Sequence, residues 1–84
     1  MAANTTGNSN AALGYQALDA NTTASDNTGI GYLALTDNTT GARNTAVGGA
    51  ALGDNTTASD NTAVGAQALR VNTTGDYNLS LIHI

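Results

Sequence analysis

The sequence predicts an all-β fold: a parallel β-solenoid or β-roll of 17-residue rungs, with two short strands in each rung. Three observations predict it. An Asn-Thr-Thr triplet begins at Asn4 and returns at Asn21, Asn38, Asn55 and Asn72, without slippage over nearly the whole 84-residue chain. Two apolar columns keep the same phase, Leu13, Ile30, Val47 and Val64 in one and Leu18, Leu35, Leu52 and Leu69 in the other. A glycine column, Gly14, Gly31, Gly48 and Gly65, follows directly on the first of these. A repeat in strict register is the mark of stacked units that bury their apolar face only against one another.

Helix is disfavoured, because Glu and Lys are absent, Asn, Thr and Gly crowd the chain, and no apolar spacing of three and four residues is sustained. Disorder is the main alternative for such a composition, but a flexible linker has no need to hold leucine in phase. Written as one unit, the repeat reads Asn-Thr-Thr-(Gly/Ala)-x-x-Asn-(Thr/Ala)-(Ala/Gly)-(Val/Ile/Leu)-Gly-x-x-Ala-Leu-x-x. The first strand falls on segments such as Asn44-Thr45-Ala46-Val47. The glycine column makes the turn that follows, where a side chain would obstruct the reversal. The second strand falls on the Ala-Leu pair, Ala51-Leu52 for example. Asn/Asp corners such as Asp37-Asn38 and Asp54-Asn55 close the rung through side-chain to backbone bonds. Successive rungs are expected to pair in parallel and in register, at about 4.8 Å per rung.

These assignments give a thin interior holding Leu13, Leu18, Ile30, Leu35, Val47, Leu52, Val64 and Leu69. The asparagines form two columns, Asn4, Asn21, Asn38, Asn55 and Asn72, and Asn10, Asn27, Asn44, Asn61 and Asn78. At one rung spacing they are expected to pass amide hydrogen bonds up the stack, as in cross-β ladders. The array comprises residues 4–78, with units starting at 4, 21, 38, 55 and 72, after a three-residue start. A two-rung alternation lies beneath it, since Asn21–Asn27 and Asn55–Asn61 are identical, and it sets Asp26 and Asp60 two rungs apart. The last six residues, 79–84, break the pattern. They resemble the translation of a transposase adapter used in preparing DNA sequencing libraries, so the natural chain is expected to continue past Asn78, and His83 carries no chemistry.

Composition excludes several functions. Six Asp against Arg43 and Arg70 leave a net charge of −4, with no electrostatic footprint for nucleic acid or an anionic membrane surface. No apolar run approaches membrane-spanning length, and the start shows no signal-peptide pattern. With no Cys or Glu and serines lacking a base partner, no catalytic constellation exists, and the chain is read as non-enzymatic with no cofactor. No unit gathers several Asp, so the aspartates are turn residues rather than calcium or other metal ligands. Asn-Thr-Thr also fits the N-glycosylation acceptor pattern, as does Asn78-Leu79-Ser80, but here the triplet is a by-product of the structural repeat.

Asn44-Thr45-Ala46-Val47-Gly48 and Asn61-Thr62-Ala63-Val64-Gly65 resemble the repeat arrays of bacterial and phage tail-fibre-domain proteins. More loosely, they resemble the head repeats of trimeric autotransporter adhesins. The resemblance runs from Asn4 to Asn78 and implies a fibre shaft outside the cell, at its surface or on a virion. Two large apolar side chains per rung are too few to order it, so further chains are expected to contribute: a homotrimer or similar bundle along an apolar flank, and filaments stacked end to end. The alternative is a binding module whose regular Thr/Asn face recognises ice or glycan.

Overall fold

A computed structural model describes residues 7–81. They form a stack of rungs with a single five-stranded parallel sheet running along one side. The strands are β1 (Ala11–Leu13), β2 (Thr28–Ile30), β3 (Thr45–Val47), β4 (Thr62–Val64) and β5 (Leu79–Ser80), in sheet order β1-β2-β3-β4-β5. Every pairing joins residues 17 apart, as in Thr28↔Thr45 and Thr45↔Thr62, so the repeat length is the register. Leu79-Ser80, where the repeat pattern fails, still pairs with Thr62-Ala63 in that register. Asn4 and His83 lie outside the described residues.

Each rung holds one strand, not two. The Ala-Leu segment expected to form the second strand is a run of three β-turns, closed in one rung by Ala34 N–H to Gly31 O, Thr36 N–H to Leu33 O and Asn38 N–H to Leu35 O at 3.2, 3.3 and 3.2 Å. The third residue of each of the first two turns has positive φ, 60° at Leu33 and 52° at Leu35, as a type II turn demands. N–H groups of this segment that close no turn donate to neighbouring rungs. Leu35 N–H bonds Ala51 O at 3.0 Å, and Leu33 N–H bonds Tyr15 O at 2.9 Å. The stack is therefore tied on this side as well, without extended backbone.

The glycine at the corner is required by contact as well as by φ. At Gly48, with φ 128°, an added Cβ would lie 2.6 Å from the carbonyl carbon and oxygen of Gly65 one rung away. Backbones approach too closely there for any side chain.

The core also differs from the sequence reading. Leu18, Leu35 and Leu52 are fully buried, with Leu69 packed against them, and alanines complete the apolar part of the interior: Ala17, Ala34, Ala51, Ala68, Ala46 and Ala63 among them. The other four residues assigned to the core are not in it. Leu13, Ile30 and Val64 are exposed and Val47 is half-buried. A three-residue strand sends its middle residue to one face and its outer two to the other. The middle residue, Gly29, Ala46 or Ala63, points inward. A Cβ built on Gly29 would lie 3.3 Å from the Leu18 side chain, so the opposing leucine leaves room only for a small residue. Thr and Val/Ile consequently share the outer face, where β-branching suits the pleat regardless of burial.

Candidate functional site

The most heavily constructed part of the molecule is its pair of asparagine columns. Asn21, Asn27, Asn38, Asn44, Asn55 and Asn61 are all fully buried, where an amide without partners would be costly. Each column solves this differently. In the first, the side-chain amide donates to the same side chain of the preceding rung: Asn38 Nδ2 to Asn21 Oδ1 at 3.2 Å, Asn55 to Asn38 at 2.8 Å, and Asn72 to Asn55 at 3.3 Å. The same Nδ2 also donates within its own rung to the carbonyl three residues on, as from Asn38 to Gly41 O at 2.9 Å. That local bond shapes the corner, which is the usual habit of asparagine in turns.

In the second column the side chain links backbone to backbone. Asn27 Oδ1 accepts from Asn44 N–H at 2.9 Å while its Nδ2 donates to Gly41 O at 2.8 Å. Asn44 repeats this with Asn61 N–H at 3.0 Å and Ala58 O at 2.8 Å. Gly41 O thus accepts from both columns, Asn38 in its own rung and Asn27 in the rung before. Among the described residues, no buried side-chain nitrogen or oxygen lacks a partner. The expected ladder is one amide chain together with a set of side-chain splints, and the columns face inward.

Outside the columns, position in the rung decides exposure. Thr23, Thr40, Thr57 and Thr74 form an exposed column, whereas Thr22, Thr39 and Thr56 are half-buried, and Thr39 Oγ1 donates to Thr56 O at 3.1 Å. Asp26, Arg43 and Asp60 share one column at positive φ. Arg43 donates to Asp60 through Nε at 2.6 Å and through Nη2 at 3.0 Å, with the arginine 59% and the aspartate 21% exposed. That hydrogen bond, reinforced by the opposite charge, holds the Asp60 carboxyl below its ordinary value and the guanidinium above its own. The alternation that separates Asp26 from Asp60 therefore leaves a slot that a cation fills. The serine beside each aspartate also reaches across rungs, Ser59 Oγ accepting from Ala42 N–H at 2.9 Å.

Tyr15 and Tyr32 stack one rung apart, with ring centroids 5.4 Å apart and planes 13° from parallel. Among the described residues, no three His, Cys, Asp or Glu side chains come together in a way that could hold a metal ion, and no helix is long and apolar enough to cross a membrane. Sequence reasoning missed the outer face of the sheet, where Thr and Val/Ile stand side by side. The invariably small middle residue of each strand was the available signal. No family model, curated protein or solved structure matches this chain.

Proposed function

We propose that this chain is a non-enzymatic structural segment, the shaft of a surface or virion fibre, which works through its length and stiffness and associates with further copies of itself. The observation that carries this reading is the repetition of one bond set at a spacing of 17 residues. Asn38 to Asn21 and Asn55 to Asn38 are the same contact made twice, and Leu35 N–H to Ala51 O is repeated by Leu52 N–H to Ala68 O. A structure of this kind gains length by adding rungs and needs no new contact to do so. Lateral bundling as a trimer and end-to-end stacking belong to the same proposal.

Cryo-electron microscopy or fibre diffraction of the purified protein tests it. Elongated assemblies with an axial repeat of about 4.8 Å are expected; compact particles of one size at every concentration would overturn the fibre reading. A second reading, a binding module for an ordered lattice, keeps only its threonines, because the asparagine columns face inward. The exposed column Thr23, Thr40, Thr57 and Thr74 is the observation in its favour. Thermal hysteresis or a glycan-array signal would favour it, and the shaft reading expects neither.

A further inference from the structure

The outer face of the sheet combines three properties. It is apolar: Leu13 is 69% exposed, Ile30 38%, Val64 37% and Leu79 70%, with Val47 half-buried between its neighbours. It is also uncharged, since none of the six Asp and two Arg falls within β1 to β5. And it is periodic, because in-register pairing sets Thr28, Thr45 and Thr62 in one row and Leu13, Ile30, Val47 and Val64 in the next.

We infer that this face is the lateral contact between two copies of the chain, each laying its Val/Ile row against the other's Thr row. The inference rests on the self-association in the fibre reading and names the surface that makes it. A second copy is the occupant these properties fit. Two chains of net charge −4 repel, and the strand face is where they can meet without opposing carboxylates. A ridge repeating once per rung finds matching grooves on a surface with the same spacing, which the same face of another copy supplies. Sheets that pack this way sit about 10 Å apart with interdigitated side chains.

The area sets the strength. Four strands of three residues and one of two, about 4.8 Å apart with about 3.3 Å per residue, project roughly 220 Å². A stable interface buries about 800 Å² per partner. Association at this length is therefore weak and concentration-dependent, and each added rung strengthens it.

Sedimentation equilibrium from micromolar to millimolar chain tests the inference, with circular dichroism confirming the fold of each variant. The wild-type protein is expected to move from monomer to dimer or higher. Val47→Asp should remain monomeric, while Thr57→Asp, in the exposed column away from the sheet, should associate as wild type does. If Val47→Asp fails to fold, the double variant Ile30→Thr/Val64→Thr, which keeps β-branched residues in both strands, should associate about tenfold more weakly or less. A folded Val47→Asp, or the double variant, that associates as strongly as wild type overturns this face and leaves the fibre reading standing. A wild-type chain that stays monomeric throughout overturns both this face and the self-association in that reading.

Discussion

Asn55 donates its side-chain amide to the Oδ1 of Asn38 at 2.8 Å, across one rung and with both side chains fully buried. Asn38 in turn donates to Asn21 and to Gly41 O, so one amide satisfies groups in three successive rungs. Replacing it strands its partners. Asn38→Ala is expected to cost about 2–4 kcal/mol in equilibrium urea unfolding. Asn38→Asp should cost more, since it keeps the acceptor, loses both donors and buries a charge. A loss under about 0.5 kcal/mol for Asn38→Ala would show that the ladder is incidental to stability.

The same bonds decide whether the Asn-Thr-Thr acceptor sites can be used. A glycan on Asn38 Nδ2 would displace its bonds and could not fit a fully buried position. If the chain is produced in a glycosylating secretory pathway, the folded fraction should carry no sugar on Asn21, Asn38 or Asn55. Mass spectrometry that found occupied Asn38 in folded protein would contradict the inward placement of the column.

Two substitutions at neighbouring positions should act in opposite directions. Gly48→Ala drives a Cβ into the backbone of Gly65 and is expected to cost about 3 kcal/mol or more. Ala50→Gly relieves an alanine held at φ 60°, a conformation costing about 1–2 kcal/mol and partly offset by the glycine's unfolded-state freedom. The net is a gain of up to about 1 kcal/mol, read as a higher thermal midpoint. A stabilising Gly48→Ala would refute the close approach of rungs at this corner.

Inside and outside can be separated by two further changes. Leu35→Ala empties a fully buried position and is expected to cost about 2–5 kcal/mol. Val64→Thr alters a 37% exposed side chain and should cost less than about 1 kcal/mol in the monomer. Equal losses would return the Val/Ile column to the core.

The Arg43–Asp60 pair gives stability a pH dependence of definite sign. Asp60 titrates below its ordinary 3.8 because Arg43 hydrogen-bonds its ionised form. Its contribution is thus fully present above that value and is lost as pH falls through the lower folded-state value. The stability difference between wild type and Asp60→Asn should be constant near neutrality and shift against wild type in acid. The change should be modest and reduced by salt, since the pair is partly exposed. A difference independent of pH down to full protonation would mean that the pair contributes nothing.

Much of this was legible in the sequence because repetition turns position into geometry. One 17-residue period sets the register of every strand pair, and the invariant glycine marks the corner where backbones meet. What the sequence concealed was the direction of the strand. Thr45-Ala46-Val47 alternates either way up, and valine is the more hydrophobic choice for a core. Only the volume already taken by Leu35 and Leu52, with Ala46 buried alongside them, decides that alanine goes in. The turn run was hidden for a similar reason. Leucine rarely adopts positive φ, yet Leu18, Leu35, Leu52 and Leu69 all do, because the stack repays the local strain by placing their side chains in the interior.

In the first asparagine column the amides of Asn38, Asn55 and Asn72 point the same way, each Nδ2 toward the lower-numbered rung. Small dipoles aligned nose to tail give the rod a sense, like an arrow drawn along its axis. A junction that follows the arrow continues the chain of donors and acceptors, whereas one that reverses it sets donor against donor or acceptor against acceptor. Any polymer of this unit inherits two chemically different tips, so growth from them need not be symmetrical.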